Sequence, residues 1–207
     1  MVTEADLPTE IRDLSILHVG SYSALVEPVA SALKTLIGRE KPNSLIAFDP
    51  NIRPTVVNDL GRWRENTEEI AALADIIKVS DEDLALIYPD REPAEIARHW
   101  LGLGAGLVVI TAGAKGAEAF TREFHVDVSG KTVTVIDTVG AGDTFQAALL
   151  SGLVARNIIT RKSLEGLDHA ALHEIVLKAV NASALTCTRQ GADLPSRDDV
   201  LRFENSC

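Results

Sequence analysis

Short runs of apolar, largely β-branched residues alternate with longer segments whose apolar residues recur at helical spacing, and this rhythm restricts the fold more than any other feature. Residues 14–19, 45–48, 76–79 and 107–111 read as strands. Residues 24–36, 81–87 and 93–101 read as helices, with a mostly polar stretch reaching to about residue 74. The strands carry almost no polar face, so each needs cover on both sides. That points to an α/β fold, a three-layer sandwich around a mostly parallel sheet.

Beyond Thr111 the pattern changes. Short strands at 117–121, 124–128 and 132–136 lie close together, with Ser129-Gly130-Lys131 as a turn, so some strands of the sheet should run antiparallel. Long helices follow at 142–155 and about 170–187, and a short one starts at Pro195 or Ser196 with Asp198 and Asp199 in its first turn. With no internal repeat, low-complexity tract or linker, residues 1–207 read as a single domain.

A net charge of −10 argues against sequence-independent binding to nucleic acid or to an anionic membrane, since both need clustered Lys and Arg. Small-molecule chemistry is favoured instead. Cys187 and Cys207 are far apart and form neither a disulfide framework nor a metal motif, which fits a reducing cytosol. The most apolar stretch, 101–113, is interrupted by Gly102, Gly104 and Gly106 and is too short to span a bilayer. Residues 1–12 have no apolar core of signal-peptide type, so the expected location is cytoplasmic. His169 and His173 lie four apart on a helix without an evident third ligand, and a solvated face accounts for them. The three glycines precede a strand instead of following one, so they are no dinucleotide fingerprint.

The chemistry concentrates at 135–145, Val-Ile-Asp-Thr-Val-Gly-Ala-Gly-Asp-Thr-Phe. Gly140, Ala141 and Gly142 open a helix, and unpaired N–H groups together with the positive end of the helix dipole make that place an anion site. Asp143 would repel the same anion. One reading makes it a first-turn carboxylate stabilised by the dipole. The other makes it a base that meets a hydroxyl attacking phosphorus, a reaction that asks mainly for positioning and charge stabilisation.

Asp137-Thr-Val-Gly-Ala-Gly-Asp-Thr-Phe145 resembles the carboxy-terminal signature of the ribokinase, or PfkB-type, carbohydrate kinases. Stretches of similar order and spacing are Leu17-His-Val-Gly-Ser21, Phe48-Asp-Pro-Asn-Ile-Arg-Pro54 and Lys78-Val-Ser-Asp-Glu-Asp83. Val109-Ile-Thr-Ala-Gly-Ala-Lys-Gly-Ala117 and Asn181-Ala-Ser-Ala184 through Gly191-Ala192 continue the likeness across essentially the whole chain. The 48–54 segment is similar to the fructokinase and 2-keto-3-deoxygluconate kinase branch. The resemblance implies a ribokinase-like, Rossmann-like sandwich and an ATP-dependent kinase acting on a fructose-like sugar or a 2-keto-3-deoxy sugar acid.

By position, the resemblance makes Asp143 the catalytic base and the N–H groups of Gly140, Ala141 and Gly142 the anion hole for the γ-phosphate. Thr111, Gly113 and Gly116 match the nucleotide-side loop, and Asn181 matches a residue beside the adenine pocket. The family's Asn-x-x-Glu element, which holds Mg2+ through water, aligns with Ser80 and Asp83, so an amide becomes a hydroxyl and Glu becomes Asp. Ser80 also reads as the cap of the helix starting at Asp81. Asp137 and Thr138 resemble the monovalent-cation region of potassium-dependent relatives. Arg53 suits a substrate carboxylate or a nucleotide phosphate because its fork matches such oxygens. Asp49 and Asn51 either organise that loop or join the site.

The resemblance begins partway into the family pattern. It therefore implies a carboxy-terminal portion of the kinase domain without the first strands, the glycine-rich sugar region and the lid, whose missing part comes from a complementing chain or an upstream reading frame; a homodimer is the other partner that the resemblance offers. The alternative from another class is a truncated, non-catalytic nucleotide-binding remnant or oligomerising module.

Overall fold

The computed structural model describes residues 1–191 and 193–204; Ala192 and Cys207, noted above, lie outside the described residues. The chain divides into two compact units. The first comprises Met1–Thr111, Phe120–Glu123 and Ile159–Gly166, and the second Ala112–Ala119, Phe124–Ile158 and Leu167–Cys207.

Four strands form the sheet of the first unit in chain order: β1 (Ile16–Gly20), β2 (Leu45–Asp49), β3 (Ile76–Ser80) and β4 (Leu107–Thr111). All neighbours pair in parallel, with Gly20 opposite Asp49 and Ser80 opposite Thr111. Helices α1 (Val29–Glu40), α2 (Leu60–Ala71), α3 (Asp81–Ile87) and α4 (Pro93–Leu103) fill the crossovers that parallel neighbours require. The strands are apolar throughout because both faces are covered: Ile46, Phe48, Ile77, Val79 and Val108 are buried in one core with Trp63, Ile96 and Trp100. Asp75, just before β3, accepts from Ile46 N (2.9 Å) and from Arg161 Nη1 (2.6 Å).

Arg161 belongs to a helix that the periodicity does not reveal, α6 (Arg161–Glu165). Five residues are too few for a periodic signal; the legible mark is the capping pair Thr160 and Ser163, in which Ser163 N donates to Thr160 Oγ1 (3.1 Å). The expected helix at 24–36 starts later, at Val29, after a 3-10 turn over Ser21–Ala24.

The second unit holds β5 (Gly116–Phe120) up to Ala119, β6 (His125–Ser129), α5 (Ala141–Ala155), α7 (His169–Cys187) and α8 (Arg197–Glu204). Only four residues join β5 to β6, which excludes a crossover, and Gly130 N donates to Lys115 O (2.9 Å), so the pair is an antiparallel hairpin. Gly116, at φ 109°, is required there: a Cβ would lie 2.0 Å from Val128 O. Burial along β6 alternates, as expected of a sheet face packed on one side. The third short strand, expected at 132–136, does not form. Its last amide finds a helix end instead of a strand: Ile136 N donates to Cys187 O (2.8 Å). Val135 and Ile136 are left exposed.

Helices α5 and α7 pack closely where Gly152 meets Ile175; a Cβ on Gly152 would stand 3.0 Å from Ile175 Cγ2. Buried Thr186 donates to Thr144 Oγ1 (3.0 Å) between the same helices.

Candidate active site

In the first unit the candidate residues gather at the carboxyl ends of the strands, where open α/β sheets bind ligands. Asp49 ends β2 and Lys78 sits on β3. Their side chains form an ion pair of 2.9 Å, with only 6% and 5% of the respective side chains exposed. The other Asp49 oxygen accepts from Asn51 N (3.2 Å), and Asn51 turns the chain at φ 41°, in the left-handed region that Asn tolerates. Ser21 Oγ donates to Asn51 O (3.2 Å). Asp49 and Asn51 thus organise the loop.

Asp83 serves the same loop. Its Oδ1 accepts from Ile52 N (3.1 Å), while its own N–H donates to Ser80 Oγ (3.0 Å), the N-cap of α3. Burial pushes the Asp83 carboxyl above the ordinary aspartate range, opposed by the Ser80 bond and reinforced by the nearby charge of Asp49. The loop ends in exposed Arg53, whose Nη1 donates to Ile52 O (2.8 Å) and which has no acidic partner among the described residues. Thr111, at the end of β4, donates weakly to Val79 O (3.4 Å).

The second unit carries the turn into α5. Gly140 is its N-cap at φ 78°, a left-handed conformation that a side chain resists, and no side chain caps the helix. Ala141 N donates to Thr138 O (3.2 Å) and Thr144 N to Gly140 O (2.8 Å). The N–H groups of Gly140, Gly142 and Asp143 have no acceptor among the described residues. Asp143 is exposed on this first turn.

Asp137 shapes the turn from behind. Its Oδ1 accepts from Val139 N (3.1 Å) and its Oδ2 from Gly191 N (2.9 Å), and these bonds hold its carboxyl below the usual range. Thr138 contributes its carbonyl to Ala141, and its side chain makes no bond of its own among the described residues.

Gly113 opens the 3-10 turn Gly113–Lys115, which leads to Gly116 in β5. Asn181, midway along α7, is buried and donates through Nδ2 to Glu204 Oε1 of α8 (3.2 Å). Lys131 Nζ lies 3.9 Å from the Phe203 ring centroid, so α8 is fixed from two sides. Among the described residues no group of three or more His, Cys, Asp or Glu could hold a metal ion. His169 instead stacks near Phe124, with centroids 5.5 Å apart.

Lys78 is the residue that motif reading missed. The available signal was a lone cation inside the apolar run Ile76-Ile77-Lys78-Val79; a buried charge must be paired, and Asp49 is the neighbouring strand end.

The profile of the pfkB family carbohydrate kinases matches residues 4–199. The fructokinase of Rhizobium leguminosarum bv. trifolii is 42% identical over 172 residues, covering 83% of this chain and 53% of that protein. Fructokinase-2 of Solanum lycopersicum is 32% identical over 206 residues, covering 97% of this chain and 61% of that protein. Among solved structures, a fructokinase double mutant from Vibrio cholerae O395, bound to fructose, ADP and potassium ion, superposes with a TM-score of 0.84. It is 29% identical and covers 98% of this chain and 64% of that one. Aminoimidazole riboside kinase of Salmonella enterica, complexed with aminoimidazole riboside and an ATP analog, gives a TM-score of 0.82 at 28% identity, covering 99% of this chain and 67% of that one. The chain spans 53% and 61% of the two curated relatives' lengths.

Proposed function

Because the chain belongs to the pfkB family of carbohydrate kinases, we propose that it transfers the γ-phosphoryl group of ATP to a hydroxyl of a fructose-like sugar or a 2-keto-3-deoxy sugar acid. The observation that carries this reading is the turn into α5. It combines N–H groups without acceptors, the positive end of a fifteen-residue helix and an exposed carboxylate within one turn.

In this reading Asp143 accepts the hydroxyl proton as the new oxygen–phosphorus bond forms and the bond from γ-phosphorus to the bridging oxygen breaks. The electron pair leaves with ADP. Charge gathering on the phosphoryl oxygens meets the N–H groups of Gly140 and Gly142, joined by that of Asp143 in place of Ala141, whose N–H is already engaged by the Thr138 carbonyl; the Gly140 turn orients these donors beforehand, so no reorganisation is needed when the charge develops. Gly113, with Thr111 ahead of it, is assigned to the nucleotide side. Gly116 sustains the hairpin behind them. Asn181 reaches that side only as a pair with Glu204.

Asp83 offers magnesium its second oxygen, since Oδ1 is engaged by Ile52, and Ser80 is engaged as a cap. One buried carboxylate oxygen suits a contact through water, the way this hard cation keeps its hydration. When bound, magnesium supplies positive charge to the phosphates. Asp137 and the Thr138 carbonyl are oxygen donors of the hard type that a monovalent cation takes, and its charge would reinforce the turn.

The test is ADP release with a panel of ketoses and 2-keto-3-deoxy acids, beside ATP binding by calorimetry. Asp143→Asn is expected to lower turnover by about 10² to 10⁴-fold, the span of a positioned acid–base group. Undiminished transfer in that variant removes Asp143 from the role. ATP binding by the unaltered chain without turnover on any of these substrates supports a nucleotide-binding module instead.

A further inference from the structure

We propose that Lys78 is a positioning residue: through Asp49 it fixes the left-handed turn at Asn51 and so sets the direction in which Arg53 meets an anionic ligand. The inference rests on the sugar-kinase reading above, in which Arg53 holds a carboxylate or a phosphate.

The chain of contacts is continuous within the first unit. Lys78 Nζ holds Asp49 Oδ2 at 2.9 Å. With that oxygen fixed, Oδ1 faces Asn51 N at 3.2 Å, and the Asn51 backbone sits at φ 41°. The next amide, Ile52 N, is held by Asp83 Oδ1 at 3.1 Å, and the Ile52 carbonyl accepts from Arg53 Nη1 at 2.8 Å. The two amides and the Asn51 carbonyl that lead into Arg53 are therefore tied to buried carboxylates or to Ser21, while the guanidinium keeps most of its donors free.

Stability alone gives a weak reason for a buried ion pair at this place. Desolvation of two charges offsets most of their attraction, and apolar replacement of such a pair is often neutral or stabilising. A lysine within an apolar strand is instead accounted for by what it orients. An unpaired Asp49 could rotate away from Asn51, and the loop would lose the bond that holds a left-handed residue in place.

Two double variants separate orientation from stability. Lys78→Met with Asp49→Leu removes the pair and also the acceptor for Asn51 N. Lys78→Met with Asp49→Asn removes both charges but retains a carbonyl oxygen at the same position. Calorimetry with ATP and with 2-keto-3-deoxygluconate tells a phosphate ligand from a carboxylate ligand, and denaturation midpoints verify folding. The Leu double variant is expected to lose at least about tenfold in affinity for one of the two probes, as Arg53→Ala does, and the Asn double variant, whose oxygen at residue 49 is no longer held by Lys78, loses a comparable amount while remaining folded. If the Leu double variant is unfolded, the Asn double variant decides by itself, because it keeps an oxygen at residue 49 and lacks only the cation that holds it.

Full affinity in the Leu double variant, or in the Asn double variant, overturns the inference while Arg53→Ala still weakens binding and the kinase reading stands. Unchanged binding in Arg53→Ala, or no binding of either probe by the unaltered chain, overturns the role of Arg53 and the inference with it.

Discussion

The turn at 49–53 in the first unit and the turn at 137–143 in the second are opposite solutions to holding a short polar loop. The first is tied from within: Asp49, Asp83 and Ser21 each bond its backbone, and the acids concerned are buried. The second is tied from behind, through Asp137 and the Cys187 carbonyl, with one internal bond from Ala141 N to the Thr138 carbonyl, and leaves donors and Asp143 open in front. A loop whose backbone is tied to side chains at Asn51 and Ile52 can aim one side chain, here Arg53. A loop with unsatisfied donors is arranged for a ligand that satisfies them. The first therefore depends on buried partners for its shape, and the second depends on the conformation of one glycine.

The largest expected effect tests the open turn. Asp143→Asn should suppress turnover as described above while shifting the denaturation midpoint by no more than about 0.5 kcal/mol, since the side chain is exposed. Loss of stability in step with activity would erase the contrast. For the closed loop, Asp83→Ala strips the acceptor from buried Ile52 N and should cost about 1–3 kcal/mol in chemical denaturation. A change confined to activity would remove Asp83 from the support of this loop. Gly140→Ala forces a Cβ into φ 78° and to 2.8 Å from Leu194 Cδ2. That should cost about 1–2 kcal/mol, and the turnover of the folded fraction should also fall because the donors lose their alignment.

The smallest effect is one of pH. Burial raises the Asp83 carboxyl in the folded protein above its ordinary value of 3.8, so its contribution to stability is full below that pH and is lost as pH rises through the raised value. Asp83→Asn keeps the acceptor for Ile52 and does not titrate. The difference in denaturation midpoint should therefore move in favour of the variant between pH 3.8 and neutrality. A constant difference across that range would show that the buried acid is compensated by Lys78.

How much of this could be read from the chain differs between the two regions. The turn into α5 is contiguous in sequence, so its small residues, its carboxylate and its helix were legible together. The loop at 49–53 draws on residues from four places along the chain, and only Ser80 as a cap was evident, because capping is a local relation. Lys78 and Asp49 meet by strand register, which no spacing in the sequence encodes. The strand expected at 132–136 failed for a related reason: β-branched residues favour extended backbone, but a strand also needs a partner, and Ile136 N found the end of α7 instead. Helix α6 was missed because five residues show no period.

By itself the sequence determined the βαβ order, the parallel sheet of the first unit, the hairpin and the chemical character of the α5 turn, all of which follow from local patterning and short-range geometry. Tertiary structure alone decided that Asp83 serves the loop backbone, that Asn181 is paired with Glu204, and that Lys78 is buried against Asp49. Each of these depends on which distant segments are brought together, and only packing sets that.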